Sequence, residues 1–128
     1  MAMNWDLLKQ LYLKSDQASQ FHSLALNLAR VQTLTQNRTD GPIAKHLIRE
    51  SQFFIEWTVP TLDLETEIDF ATDLVDLQRL LGRWKLHWEE YWDNDQKRLA
   101  MIEALKPWCD RLQQYSQSRS EAITVQAC

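Results

Sequence analysis

The chain has 128 residues and a formal net charge of -4 at pH 7, with 45% hydrophobic and 25% charged residues. This balance is typical of one globular domain and excludes a disordered chain, while the acidic total disfavours nucleic acid as a partner. Two glycines are too few for phosphate-cradling loops or for the turns of an all-β fold, so the composition predicts an all-α protein.

The same sequence predicts a cytoplasmic protein. No run of about 18 apolar residues occurs, so we expect no membrane-spanning segment. The first ten residues, MAMNWDLLKQ, lack a basic region followed by an apolar run and do not resemble a signal peptide. Cys109 and Cys128 are too few for a disulfide framework, which is consistent with a reducing compartment.

The first predicted helix is long. Asn4 can cap it, and the pattern continues to about Asn37, a length of roughly 50 Å. A stripe of large apolar residues lies beside a stripe in which small side chains are frequent. The first consists of Phe21, Leu24, Leu28 and Val31, and the second of Leu8, Leu11, Ser15, Ala18, His22, Ala25 and Ala29. Because a short neighbour cannot cover so wide a face, we expect a homodimer through this helix. The rival is a monomer whose first helix breaks or bends near Ser15.

A turn, NRTDGP at residues 37–42, separates this helix from a shorter second one, which runs from about Pro42 to Thr58. Pro60 ends helix two, and residues 59–64 form a linker. The predicted core face carries Ile43, Leu47, Phe54 and Ile55, with His46, Phe53 and Trp57 on an adjacent face.

Helix three has the strongest pattern in the sequence. Thr66 and Asp69 resemble a capping box at its start. Its apolar residues then alternate at spacings of four and three, a heptad pattern typical of a bundle seam. They are Phe70, Leu74, Leu77, Leu81, Trp84, Trp88 and Tyr91. The pattern predicts a buried seam in which Trp84 and Trp88 close one end of the core.

Residues 93–95 interrupt this pattern, and a fourth helix follows. Its apolar residues have the same spacing and are Met101, Leu105, Trp108, Leu112 and Tyr115. So short a connection joins antiparallel neighbours, so helices three and four are predicted to form an antiparallel hairpin in a four-helix-bundle-like fold. Pro107 predicts a kink or a break. We expect one helical domain over residues 1–117 and a polar, frayed tail over 118–128.

Five residues are candidates for contact with a partner protein. Trp92 lies at the edge of the seam, where it is either an exposed contact point or is covered by helix four. Asp76, Arg79 and Arg83 form either a charged docking face or a solvated helix face with weak ion pairs. Trp57, on the adjacent face of helix two, completes the set.

The sequence indicates no reaction. It contains no Ser–His–acid grouping, and the paired Glu-x-x-His motifs of di-iron bundles are missing. His22, His46 and His87 are therefore expected to be structural or solvated, and no metal or cofactor is predicted; no attachment motif supports haem ligation by His22 or His46. Asp110 is expected to raise the pKa of the neighbouring Cys109 thiol, which makes it a poor nucleophile.

The stretch DLVDLQRLLGRWKLHW, together with the glutamine-rich first helix, resembles small helical proteins of cyanobacteria with no assigned activity. The resemblance covers a minor part of the chain and includes no catalytic motif. It implies a cytosolic regulatory or assembly role.

The leading prediction is a non-catalytic helical module that binds a protein partner or itself. It rests on the missing catalytic motifs and on the wide apolar and aromatic stripes. The alternative is a helical bundle that binds an apolar small molecule or a pigment near the aromatic cluster beside His87. A nucleic-acid accessory protein that uses its arginines is the least favoured.

Overall fold

The computed structural model describes residues 4–127, with side chains described for residues 4–119. In that part of the chain every regular element is helical, which confirms the all-α prediction, but the helices number six and not four. They are α1 (Trp5–Lys14), α2 (Gln17–Leu34), α3 (Gly41–Thr58), α4 (Ile68–Leu86), α5 (Trp88–Trp92) and α6 (Asp95–Ala127), with 3₁₀ turns at Arg38–Asp40 and Val59–Thr61. None of the described helices is both long and apolar enough to cross a lipid bilayer.

The prediction of one long first helix is wrong, because the chain breaks at Ser15 and Asp16. Both residues are extended, and the Asp16 carboxylate accepts a hydrogen bond from the backbone N–H of Ser19 at 2.7 Å. Asp16 thus caps α2, and this bond lowers the pKa of its carboxyl group. Gln20 donates to the carbonyl oxygens of Tyr12 at 3.0 Å and Ser15 at 3.1 Å, which ties the two helices together at the break. The break near Ser15 is the one that the rival prediction required.

The break lets α1 lie along α3, and aromatic side chains hold the two helices together. Tyr12 stacks on Phe54 with ring centroids 4.3 Å apart, and its hydroxyl group shares a hydrogen bond of 2.5 Å with that of Thr58. Burial raises the pKa of Tyr12 to about 12. At the other end of α1, the Trp5 ring lies 4.6 Å from that of Phe53. The adjacent face predicted for helix two is therefore where α1 packs.

The main core lies between α2, α3, α4 and α6. The predicted core residues Leu74, Leu77, Leu81, Trp84 and Leu105 are buried. The prediction for Ile43 is wrong, since it is 56% exposed. Apolar residues occupy more than one face of α3, and periodicity alone does not decide which face meets the core.

The predicted third helix is also broken, at His87 between α4 and α5. His87 has φ -115° and ψ 38°, which is outside the helical range. Trp92 follows this break, and its ring stacks on that of Trp88 with the ring centroids 5.1 Å apart. The capping box predicted at Thr66 is wrong, because Glu67 is the N-cap of α4 and its side chain makes no capping hydrogen bond.

The longest helix, α6, runs antiparallel to α2. In the second half of α6 the Ser116 hydroxyl donates to the Ala18 carbonyl at 2.8 Å, and in its first half the Ile102 carbonyl accepts from Gln32 Nε2 at 2.9 Å. The sequence predicts a kink or a break at Pro107, and the break does not occur, since α6 continues through this residue. Proline removes one N–H donor from the helix, and packing against α2 on both sides of it keeps the helix intact. Helix α6 also continues past residue 117, where the sequence predicts the start of a frayed tail.

Helices α4 and α6 lie side by side in opposite directions. Asp73 pairs with Arg111 at 3.2 Å, and the Phe70 ring lies 4.0 Å from that of Tyr115. The position of the turn at residues 93–95 agrees with the end of α5 and the start of α6. The connection from α4 to α6 is longer than the predicted hairpin turn, because α5 is a separate helix within it.

Candidate functional site

The residues predicted to contact a partner do not share one surface. Asp76 and Arg79 form an exposed ion pair at 3.8 Å on α4, and Arg83 is exposed one turn later. Such pairs contribute little to stability. Trp57 is half-buried at the contact between α1 and α3, and Trp92 is buried.

Trp92 is a core residue and is not available as a surface contact. It is 3% exposed, and its indole N–H donates to the carbonyl oxygen of Arg38 at 2.7 Å. The ring lies against Gly41, where a Cβ atom would be 2.8 Å from Trp92 Nε1 and 2.9 Å from Cδ1. Gly41 has ordinary helical dihedral angles, so this position needs glycine for space and not for conformation.

We expect Gly41→Ala to lower the free energy of unfolding by about 1–3 kcal/mol, because the added methyl group overlaps the Trp92 ring. Gly82 is the matched control, since a Cβ atom there meets only Gln52 Nε2 at an ordinary 3.6 Å. Gly82→Ala should raise the stability by up to about 1 kcal/mol, because alanine favours a helix interior. Urea unfolding followed by circular dichroism measures both, and equal midpoints would contradict the close approach.

Arg98 lies buried where the ends of α2 and α5 meet the start of α6, and no sequence pattern marks it. Its Nε donates to the Thr35 carbonyl at 2.9 Å and its Nη1 to the Trp92 carbonyl at 2.7 Å. Its Nη2 donates to the Asp95 carboxylate at 2.8 Å. Both carbonyls belong to C-terminal ends of helices, where intrahelical donors are lacking and a cation is favoured. Arg98 therefore joins three helix ends.

An open apolar groove of about 460 Å³ lies between α2 and α3. Leu26 and Ile43 are 39% and 56% exposed there, and Arg30 is the charged residue of the lining. The complete lining is Leu26, Ala29, Arg30, Thr33, Leu34, Ile43 and Leu47. We call it the α2–α3 groove. It is an apolar surface that no described part of the chain covers.

A ridge of exposed leucines lies on α1. Leu7 and Leu11 are four residues apart on one face and are 50% and 56% exposed, whereas Tyr12 on another face packs against α3. Asp6 precedes this pair and is exposed. We call Leu7 and Leu11 the α1 ridge. The first three helices therefore carry both a groove and a ridge of uncovered apolar side chains.

The side chains considered for reactivity are the three histidines and Cys109. In the part of the chain with described side chains, no group of three or more His, Cys, Asp or Glu could hold a metal ion. His46 and His87 each lie 3.8 Å from a glutamate. Burial, and next the charge of Asp110, raises the pKa of Cys109 to about 11, which is the predicted direction.

The fold is that of a small helical domain with an uncovered groove and ridge. No family model matches the sequence, and no curated protein and no solved structure matches it either. The resemblance to cyanobacterial helical proteins stays a prediction.

Proposed function

We propose that the protein is a non-catalytic helical module with an assembly role, which associates with a second copy of itself. The α1 ridge of each copy fills the α2–α3 groove of the other. The groove carries the proposal, because it exposes Leu26 and Ile43 side by side on an acidic protein. Contiguous apolar surfaces of this kind are typical of protein-binding sites.

The shapes of the ridge and the groove support a second copy as the occupant. Leu7 and Leu11 are about one helical turn apart, and Ala29 in the groove is small enough to let another helix approach closely. In a two-fold pairing the ridge and the groove meet twice, so both uncovered surfaces are buried. The sequence predicts a homodimer through one continuous helix over residues 4–37. That helix is broken, but we still propose a homodimer, now through the α1 ridge and the α2–α3 groove.

Charge supports the same pairing. Arg30 lies in the groove and Asp6 beside the ridge, and neither forms an ion pair among the residues with described side chains. In the dimer each Arg30 meets Asp6 of the other copy. Charge pairs at the edge of an interface fix its orientation more than its affinity.

Two observations favour binding to a protein over the other functions. Burial raises the pKa of the Cys109 thiol to about 11, which makes its reactive thiolate form scarcer than that of an ordinary cysteine. Trp84 and Trp88 are only 3% and 7% exposed. These rings are packed into the core and offer little surface to an apolar ligand or a pigment, and the cleft beside His87 is lined mostly by charged residues.

Sedimentation velocity at micromolar concentration should give the wild-type chain the mass of two copies. Ile43→Asp should weaken the dimer at least about tenfold, because it places a charge in the groove. The variant should fold, since an aspartate at the third residue of α3 interacts favourably with the helix dipole. Leu99→Asp is the matched control, because Leu99 is 55% exposed on α6 and does not line the groove.

A charge exchange tests the orientation of the two copies. Arg30→Glu and Asp6→Arg should each weaken the dimer, and the double variant should restore it. The mass of a single chain at every wild-type concentration would overturn the proposal. So would a dimer that Ile43→Asp and Leu99→Asp leave equally intact.

A further inference from the structure

Three cationic side chains converge where α3 packs against α4. Lys45 and Arg49 lie about one turn apart on α3, and Lys85 lies opposite them on α4. Lys45 and Lys85 line a cleft of about 320 Å³, and Arg49 and Lys85 line an adjoining cleft of about 220 Å³. Around α3, Lys45 is about 200° from Ile43, so this basic cluster lies away from the α2–α3 groove.

The three cations of the basic cluster have no anionic partner among the residues with described side chains. Burial, followed by the positive charges of Arg49 and Lys45, lowers the pKa of Lys85. Glu56, Glu89 and Glu90 line the same clefts but do not pair with these cations, and Glu90 pairs instead with Lys97. The positive charges of Arg49 and Lys45 act on Lys85, so an anion that enters the cluster reduces this repulsion.

Aromatic rings hold Arg49 in place. Its Cζ atom lies 5.8 Å from the ring centroid of Trp5 and 5.5 Å from that of Phe53. A cation–π contact of this kind fixes the position of the guanidinium group without a carboxylate partner. Arg49 is therefore oriented without a carboxylate partner in the described part of the chain, which suits it to bind an oxyanion through two parallel hydrogen bonds.

We propose that Lys45, Arg49 and Lys85 form a binding site for a phosphate monoester, carried by a small molecule or by a phosphorylated side chain. The dianion offsets most of the positive charge of the cluster. Its terminal oxygens accept hydrogen bonds from one guanidinium and two ammonium groups. The site does not depend on the proposed dimer, since the groove lies on another face of α3.

Titration of ¹⁵N-labelled protein with inorganic phosphate, at constant ionic strength, tests the site. The backbone amide signals of Arg49 and Lys85 should move and reach saturation. Arg49→Gln combined with Lys85→Gln should weaken phosphate binding at least about tenfold. Lys9→Gln combined with Lys106→Gln is the control, because it removes the same charge from two exposed positions and should leave the affinity unchanged. The same titration is then repeated with adenosine monophosphate and with a phosphoserine peptide. The ligand with the higher affinity shows whether the site binds a phosphorylated small molecule or a phosphorylated side chain.

Thermal unfolding separates a binding role from a structural one. In phosphate-free buffer Lys85→Gln should not lower the melting temperature, because it removes a repelling charge. Phosphate should raise the melting temperature of the wild-type chain and not that of the Arg49→Gln, Lys85→Gln variant. Wild-type signals that move linearly without saturation would overturn the proposal, as would equal affinities of this variant and the lysine control.

Discussion

Replacing Arg98 by methionine is expected to lower the free energy of unfolding by about 2–5 kcal/mol. Methionine retains much of the apolar stem, so the loss comes from the guanidinium group. The carbonyl oxygens of Thr35 and Trp92 now accept from it at 2.9 and 2.7 Å, and both lose a donor in a buried region. Two helix ends are then left with unsatisfied acceptors, which is costly away from water.

Two further variants test whether the planar guanidinium group of Arg98 is responsible for the loss of stability. Arg98→Lys should be intermediate, because one ammonium group cannot reproduce the geometry of a planar guanidinium. Arg79→Met removes an exposed arginine from α4 and should change the stability by no more than about 0.5 kcal/mol. Urea unfolding compares all three, and a shared midpoint for Arg98→Met and Arg79→Met would show that the buried contacts contribute nothing.

Leu81→Ala is expected to lower the free energy of unfolding by about 2–5 kcal/mol, because truncating a fully buried leucine leaves a cavity. Leu81 is 0% exposed and lies in the second half of α4. The expected loss is a large part of the roughly 5–15 kcal/mol that stabilises a typical domain. Leu86→Ala, at a position 79% exposed on the same helix, should change little. If the urea-unfolding midpoint of Leu81→Ala equalled that of the wild-type chain, the heptad seam would not be the core.

The buried seam could be predicted because its signal lies within one helix. Leu74, Leu77 and Leu81 repeat at the spacing that brings them to one face of α4, and all three are buried. The cap at Asn4 is equally local, since its side chain accepts from the N–H of Leu7 at 3.1 Å. Features of this kind need no knowledge of the rest of the fold.

The helix breaks depend on packing between distant segments, so the sequence alone could not decide them. Ser15 and Asp16 can continue a helix or cap a new one, and the capped form lets Tyr12 reach Phe54 on α3. His87 carries no glycine or proline signal at all. Its break allows Trp92 to turn inward against α3.

The candidate sites were beyond prediction for the same reason. Ile43 fits the core pattern of helix two, and only the placement of α2 beside α3 leaves it exposed in a groove. Lys45 and Arg49 are an ordinary pair on a helix surface until Lys85 of α4 is packed opposite them. Arg98 acquires its partners from three segments that are far apart in the chain.

Because α2 packs on α6, the chain cannot complete its core until α6 has been synthesised. Phe21, Leu28 and Val31 of α2 are at most 1% exposed in the folded protein. On the ribosome the side of α2 that meets α6 stays uncovered while the segment between α2 and α6 emerges, for roughly 3–12 seconds at about 5–20 residues per second. Most helical domains fold quickly through local contacts, whereas this one must wait for a distant helix. During that wait part of the apolar surface of α2 is in contact with water, and exposed surface of this kind makes a partly folded chain prone to aggregate.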